Sequence, residues 1–326
     1  MALIDTYGRR INYLRLSVTD RCNMRCCYCM PAQGVAKLEH KEMLSYEDLY
    51  RVSAACVEQG IEKIRVTGGE PLVRRGLVDF LGRLSALPGL KELVLTTNGL
   101  LLEELAQPLK DAGVARLNIS LDSLQPETFA RVTRGADLNR VLAGIDAAQK
   151  AGFGPLKINM VVMRGVNDQE LLDFAALTLD KPYTVRFIEY MPTLQDEGWG
   201  AQSMPGSEIL AAIGERYPLL PLVSSEMAGP ARNYKIQGAA GAIGIITPVS
   251  GHFCESCNRI RITATGRVRG CLFSEQGTDL KPLLASEDPE ALRQTLRSIV
   301  TQKPGRHHIA EEGNEQTVVN MSRIGG

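Results

Sequence analysis

The chain has 326 residues, of which 44% are hydrophobic and 23% are charged, and its 37 basic and 37 acidic side chains give a net charge of zero. This balance excludes a global field that would recruit nucleic acid or an anionic membrane, so an anionic ligand would have to meet a local basic patch. No apolar run reaches the ~20 residues of a membrane span, and residues 1–10 lack the apolar core of a signal peptide. We therefore expect a cytoplasmic protein whose cysteines are reduced.

Short apolar strands alternate with helical segments over residues 11–191. The pattern predicts six strands, at Tyr13–Val18, Lys63–Thr67, Glu92–Thr96, Ala115–Leu121, Leu156–Val162 and Thr184–Tyr190. It predicts helices between them at residues 45–59, 75–87, 101–112, 138–152 and 168–180. Repeated βα units with short loops indicate an α/β fold with a parallel sheet, and six units without a dinucleotide-binding fingerprint favour a partial (β/α) barrel.

The pattern becomes irregular after Pro192, with a predicted helix near 207–216, a strand at Ile243–Ile246 and a helix near 289–301. We expect residues 1–225 to form the barrel and residues 226–326 to form a smaller second domain. In barrels of this type the functional loops follow the carboxyl ends of the strands. Glycine and polar residues follow the predicted strands, as in Gly68–Pro71, Thr96–Gly99 and Ser120–Asp122.

Six of the eight cysteines form two triplets, Cys22, Cys26 and Cys29 in one loop and Cys254, Cys257 and Cys271 far along the chain. A structural zinc or a fully protein-held iron–sulfur cluster takes four protein ligands, so each triplet leaves one metal position open. The C-x3-C-x2-C loop predicts a cubane cluster with one free iron. A zinc knuckle completed by a distant histidine and a reduced thiol cluster are the alternatives. Cys27 is not expected to be a fourth ligand, because adjacent side chains diverge, and Cys56 is expected in the core.

Basic residues follow the second triplet. Arg259 and Arg261 alternate with isoleucines, a period of two that places both guanidinium groups on one face of a strand. Arginine suits phosphate oxygens because it offers a planar, always charged fork of donors. The pair beside an open metal position therefore predicts a nucleotide site, whereas a solvated basic hairpin is the reading favoured for Arg267 and Arg269.

Three further cations lie on predicted barrel strands: Arg15, Arg65 and Lys157. Arg15 alternates with leucines and is expected to point into the lumen, where a charge is costly without a partner. An anionic ligand or a structural ion pair would supply that partner. The pair His307-His308 is expected to be solvated in a tail.

The cysteine loop with Tyr28, together with Gly68-Gly69-Glu70-Pro71 after the second strand, resembles the radical S-adenosylmethionine (SAM) superfamily. Residues 14–22, 63–71, 95–99 and 254–272 and the terminal Gly325-Gly326 resemble more closely its GTP-cyclising family of molybdenum cofactor biosynthesis. This similarity covers about Tyr7 to Gly326. It implies two [4Fe-4S] clusters, on the two cysteine triplets, and SAM as cofactor. The implied reaction converts GTP to 3′,8-cyclo-7,8-dihydro-GTP through a 5′-deoxyadenosyl radical.

The resemblance also implies roles for individual residues. The implied SAM contacts are Tyr28, Gly69, Ser120 and Met191. The implied GTP contacts are Arg15, Arg65, Thr96, Lys157, Arg259 and Arg261, with Arg15, Arg259 and Arg261 also catalytic. An external electron donor, a homodimer, a downstream enzyme that takes the product, and an active-site role for the terminal glycines are implied as well. Two alternatives stay open: another radical SAM enzyme with an auxiliary cluster, such as a peptide-modifying one, and a non-catalytic iron–sulfur or zinc protein.

Overall fold

The computed structural model describes residues 2–35, 38–192, 199–223, 229–274, 277–286, 288–307 and 321. Its first six strands are β1 (Tyr13–Ser17), β2 (Lys63–Thr67), β3 (Glu92–Thr97), β4 (Arg116–Ser120), β5 (Lys157–Val162) and β6 (Thr184–Glu189). All six are parallel and lie side by side in chain order. Each predicted strand is confirmed to within one residue at either end.

Helices connect these strands, as the alternating pattern predicts: α1 (Tyr46–Glu58), α2 (Leu77–Ser85), α3 (Leu102–Asp111), α4 (Pro126–Thr133), α5 (Leu138–Lys150) and α6 (Leu171–Asp180). The hydroxyl of Ser45 accepts a hydrogen bond from the amide of Asp48 and so caps the first turn of α1. The helix α4 was not predicted. It has only eight residues, too few for a clear helical period.

The remaining elements are α7 (Trp199–Gln202), α8 (Gly206–Gly214), β7 (Leu219–Leu222), β8 (Arg232–Ile236), β9 (Ala242–Ile246), β10 (Arg259–Ile262), β11 (Arg267–Arg269), β12 (Thr278–Asp279), α9 (Lys281–Ala285) and α10 (Pro289–Thr301). Strand β10 pairs in parallel with β1, and β9 pairs in parallel with β6. Segments after residue 229 therefore extend the sheet at both of its edges. The boundary at residue 225 stays a prediction.

Within the part of the chain that the structure describes, the sheet has twelve strands in the order β12-β11-β10-β1-β2-β3-β4-β5-β6-β9-β8-β7 and does not close. This arrangement confirms the partial barrel. Leu14 and Leu16 of β1 are fully buried on the helix-covered side of the sheet, while Arg15 between them lines a cavity. Within the described residues, no helix is long and apolar enough to cross a membrane. The alternation along β1 separates a hydrophobic core from a charged interior face.

Candidate functional site

A cavity of about 1570 Å³, counting the part that is open to solvent, lies at the carboxyl ends of the parallel strands. It is lined by the first cysteine triplet at one side and by Arg259 and Arg261 at the other. The cavity therefore extends from the first cysteine loop to the arginines that accompany the second cysteine motif.

The first cysteine loop packs closely against the glycine loop that follows β2. A side-chain carbon on Gly69 would lie 2.5 Å from the carbonyl oxygen of Arg21, and one on Gly68 would lie 2.7 Å from that of Thr19. The amide of Gly69 donates to the Thr19 carbonyl at 2.8 Å. Glycine is thus required at both positions because backbone meets backbone there. This contact places the backbone of residues 68–69 at the cavity wall beside the cysteines.

Glu70 joins three of the loops around the cavity. Its buried carboxylate accepts hydrogen bonds from the amide of Leu72, the hydroxyl of Thr97 and the amide of Asn98. Asn98 in turn donates to the side chain of Asn23 at 2.7 Å, inside the cysteine loop. Burial raises the pKa of Glu70 to about 7, although the three donors oppose that shift. Through these hydrogen bonds, Glu70 connects the ends of β2 and β3, and Asn98 extends the connection to the first cysteine loop.

Tyr28 is fixed by a second buried carboxylate. Its hydroxyl donates to Asp122 at 2.8 Å, and the other oxygen of Asp122 accepts from the amide of Val161 at 2.9 Å. Burial raises the pKa of Asp122 to about 6. The aromatic ring before the last cysteine is thus held against the ends of β4 and β5. Neither Asp122 nor Glu70 was among the predicted contact residues.

Arginines from neighbouring strands meet on one face of the sheet. Arg15 lies opposite Arg65 on β2 and opposite Arg261 on β10. Burial and the guanidinium groups of Arg261 and Arg65 lower the pKa of Arg15 well below its ordinary value. Burial, followed by Arg259, lowers that of Arg261 to about 10. The three in-register arginines form a cationic floor that an anion would stabilise.

The structure adds Arg186 of β6, which sequence reasoning missed, to this floor. Its side chain is buried, and burial followed by Arg65 lowers its pKa to about 10. Among the described residues, neither Arg65 nor Arg186 forms a salt bridge, and the Nε atoms of both lack a hydrogen-bond partner. The sequence pattern could have identified Arg186, because it lies between Val185 and Phe187 in the same alternation that identified Arg15.

The predicted contacts do not all reach the cavity. Its lining includes Arg15, Tyr28, Arg65, Gly69, Thr96, Ser120, Met191, Arg259 and Arg261. Lys157 is not in the lining: it begins β5, at the opposite end of the strand from the cysteines. Burial, followed by Arg186, lowers the pKa of Lys157 to about 6. Its role in GTP binding stays a prediction, and the terminal glycines lie outside the described residues.

The second triplet begins in a short turn before β10. Cys254 starts this turn, and the amide of Cys257 donates to the Cys254 carbonyl at 3.1 Å. Ile260 and Ile262 are fully buried, while Arg259 and Arg261, which alternate with them, line the cavity; this confirms the period of two. The hairpin turns back into β11, where Arg267 is exposed, as expected. The expectation was wrong for Arg269, which is half-buried and donates to the carbonyl of Ser274 at 3.1 Å. The arginine pair is thereby held directly beside the second cysteine motif.

A segment after α10, residues 303–307, covers the second triplet. Lys303 is 3% exposed and donates to the sulfur of Cys257 at 3.3 Å and to the carbonyl of Gly270. Burial raises the pKa of Cys257, but Arg259 and Lys303 overcome it and lower the value to about 6. The prediction for His307 was wrong: it is buried, because Phe273 and His252 pack against its ring. His308 lies outside the described residues.

Both triplets fit a cluster better than a single ion. Within the described residues, the three sulfurs of neither triplet all lie within 4.8 Å of one another. Two sulfurs on one zinc lie at most about 4.6 Å apart, since each bond is about 2.3 Å. Burial raises the pKa of Cys22 to about 11, so bound positive metal would be needed to keep it as a thiolate. In this structure neither triplet has the sulfur spacing of three ligands on one zinc ion, which disfavours the zinc-knuckle alternative.

Comparison with known proteins agrees with this geometry. Residues 16–178 match the radical SAM superfamily model, and residues 183–309 match the model described as Molybdenum Cofactor Synthesis C. The GTP 3′,8-cyclase of Geobacter sulfurreducens is 59% identical over 326 residues, 100% of both chains. That of Pseudomonas putida is 46% identical over 330 residues, 100% of this chain and 98% of the relative. Streptococcus suis SuiB bound to S-adenosylmethionine shares the fold, with a TM-score of 0.60 and 14% identity over 90% of this chain and 69% of that chain.

Proposed function

The chain belongs to the GTP 3′,8-cyclase family of the radical SAM superfamily, and on that premise we propose that it converts GTP to 3′,8-cyclo-7,8-dihydro-GTP. The reaction is a step of molybdenum cofactor synthesis and starts with a 5′-deoxyadenosyl radical. In this proposal the radical removes the 3′ hydrogen of GTP, and C3′ then bonds to C8 of the guanine. The unpaired electron left at N7 is quenched by one electron from the external donor and one proton from solvent. The protein contributes position, charge and exclusion of water, while the cofactors carry the radical chemistry.

The first triplet would hold a [4Fe-4S] cluster and the SAM beside it. When bound, that cluster supplies the electron that splits SAM into methionine and the 5′-deoxyadenosyl radical. Tyr28, Gly69, Ser120 and Met191 are the residues we assign to SAM, and all four line the cavity. Gly69 leaves its backbone uncovered, and the Tyr28 ring is fixed by Asp122. SAM would thus lie between the cysteine loop and the ends of β2, β4 and β6.

The second triplet would hold the auxiliary [4Fe-4S] cluster, whose open iron would bind the guanine base. We assign the anionic part of GTP to Arg15, Arg65, Thr96, Lys157, Arg259 and Arg261, and we add Arg186. Arg15, Arg259 and Arg261 take the catalytic role, since they lie on the side of the cavity that faces the second triplet. They would hold the ribose of GTP against the radical source.

One observation carries this proposal: arginines from four strands of the sheet, most of them buried, gather on one wall of the cavity. Arg15, Arg65, Arg186 and Arg261 line one cavity and lower one another's pKa or that of a neighbour. Among the described residues, no salt bridge involves Arg65, Arg186 or Arg259. Like charges that are buried side by side raise the free energy of the folded protein, and an anionic ligand lowers it. A nucleoside triphosphate supplies several negative charges at once.

Anaerobic turnover of the reconstituted protein with GTP, SAM and a strong reductant tests the function. The product is an isomer of GTP, because one hydrogen leaves C3′ and one is gained at N7, so chromatography and NMR must identify it. With GTP deuterated at C3′, we expect deuterium in the 5′-deoxyadenosine. SAM cleavage that is triggered by a peptide and is indifferent to GTP would overturn the proposal.

Three partners belong to the same proposal. An external one-electron donor would reduce the first cluster, a second copy of the chain would complete a homodimer, and a downstream enzyme would take the cyclised product. All three would act in the cytoplasm. Light scattering of the purified protein tests the dimer: a mass of one chain at micromolar concentration would exclude it.

A further inference from the structure

Two histidines lie beside the first cysteine of the second triplet. One ligand atom from each of His252, Cys254 and His307 lies within 4.8 Å of the other two. Nδ1 of His252 and Nε2 of His307 are 3.3 Å apart. In a tetrahedral site with metal–nitrogen bonds of about 2.0–2.1 Å, two ligating nitrogens lie about 3.3–3.4 Å apart. The two imidazoles are therefore already spaced as ligands of one ion.

The surroundings hold two of the three ligands in place. Arg9 donates to the carbonyls of Cys254 at 2.7 Å and Gly305 at 3.1 Å, and its Nε is paired with Asp5. The ring of His307 packs against that of Phe273, with centroids 4.4 Å apart. Because the N-terminal segment fixes residues 254 and 305 together, Cys254 and His307 keep their separation. His252 is exposed, which gives an ion a route from solvent.

We propose that His252, Cys254 and His307 form a mononuclear site that binds one zinc-type divalent cation when the second cluster is absent, with water as fourth ligand. Two imidazoles and one thiolate suit Zn²⁺ or Fe²⁺ and not Mg²⁺ or Ca²⁺, which take oxygen ligands. Binding replaces the thiol proton of Cys254, and this proton is released to solvent. No electron is transferred.

The site has a consequence that rests on the proposed function. Cys254 is also a proposed ligand of the auxiliary cluster, so the single ion and that cluster exclude each other. A chain that has taken up zinc at this site would assemble the first cluster but not the second. By binding zinc, the two histidines would then keep Cys254 from the iron–sulfur cluster of the second triplet.

Cobalt titration of the full chain tests the site, in a background carrying Cys22→Ala, Cys26→Ala and Cys29→Ala so that the first triplet is silent. The metal-free protein should bind one Co²⁺ with tetrahedral absorption and one thiolate-to-cobalt band. His252→Ala and Cys254→Ser should each abolish that band, whereas Cys257→Ser and Cys271→Ser should retain it. His252 is exposed, so its replacement is not expected to impair folding. A band that survives His252→Ala, or that is lost equally in Cys271→Ser, would overturn the proposal.

Zinc competition tests the exclusion. Wild-type chain preloaded with one Zn²⁺ should incorporate the iron of one cluster on reconstitution, and His252→Ala preloaded in the same way should incorporate two. Two clusters in the zinc-loaded wild type would contradict the exclusion. Cobalt binding requires neither GTP nor SAM. A failed titration therefore leaves the cyclase proposal intact. If cobalt binds but GTP is not turned over, only the proposed cyclase function is overturned.

Discussion

Arg15 of β1 lies directly opposite Arg261 of β10, in register across two parallel strands that are remote in sequence. The pairing brings an N-terminal cation and a C-terminal cation onto one face of the sheet. Each guanidinium group raises the free-energy cost of burying the other in its charged form. For this reason burial and Arg261 together lower the pKa of Arg15. Such a pair is expected where a strongly anionic ligand binds.

Replacing Arg259 should separate SAM cleavage from GTP turnover. Arg259→Ala removes one charge-assisted contact to the proposed substrate, a loss of roughly 10- to 100-fold in kcat/KM for GTP. It leaves the first cysteine loop untouched, so SAM cleavage without GTP should persist. Arg267→Ala, on the exposed arm of the same hairpin, is the matched control and should match wild type. Equal loss of both activities in Arg259→Ala would contradict the assignment.

Replacing Arg186 should stabilise the ligand-free protein and weaken GTP binding. Arg186→Met removes a buried cation that has no salt bridge among the described residues and keeps most of the side-chain volume. We expect about 1 kcal/mol more free energy of unfolding without GTP. We also expect GTP to raise the melting temperature of Arg186→Met by less than it raises that of the wild type. Denaturant and thermal unfolding with and without GTP measure both, with the exposed Arg216→Met as control. A destabilised ligand-free Arg186→Met would refute the repulsion argument.

Replacing Cys22 and replacing Cys27 by alanine should have different effects on iron content and SAM cleavage. Cys22→Ala removes a proposed cluster ligand and should abolish both the iron of the first site and SAM cleavage. Cys27 packs instead against the small hydrophobic group of Val132, Met163 and Tyr190. Cys27→Ala should therefore keep the full iron content and SAM cleavage and lose about 1 kcal/mol of stability. Iron analysis and 5′-deoxyadenosine formation decide between the two roles.

Glu70 should make stability fall as pH rises. Its folded pKa, about 7, lies above the ordinary value of 4.5, so the folded state binds more protons than the unfolded state between these values. Stability from this group is full below about pH 4.5 and declines through pH 7, by at most about 3 kcal/mol. Glu70→Gln should flatten this part of the metal-free unfolding profile, and the exposed Glu104→Gln should not. An unchanged slope in Glu70→Gln would show that another group titrates.

Lys303 should tune the second cluster. Its ammonium group donates to the Cys257 sulfur and stabilises added negative charge there. Lys303→Met should therefore shift the reduction potential of that cluster to a more negative value, and Lys303→Arg should restore part of the shift. Redox titration followed by EPR, in a Cys22→Ala background, measures it. Lys150→Met, at an exposed position on α5, is the control. A potential that does not move would show that Lys303 only holds the Gly270 loop.

Local sequence determined much of the barrel. The strands and helices of the first 190 residues were predictable because apolar spacing reports directly which face of each element is buried. The cysteine triplets and the isoleucine alternation at 259–262 were visible for the same reason: their spacing is local. Lys303 was not predicted and His307 was wrongly predicted to be solvated, since a lysine or histidine after a helix has no local pattern that separates a buried contact from a solvated tail.

The two cysteine motifs, the parallel βα units and the alternation that points Arg15 inward could all be predicted from residue spacing along the chain. The pairing of β10 with β1 became visible only in the fold, and it places Arg259 and Arg261, next to the second triplet, on the wall of the cavity that the first triplet lines. The fold also brought Arg186 onto the cationic floor and residues 303–307 onto the second triplet. Pairing between distant strands depends on the fit of whole surfaces, which spacing along one segment does not encode.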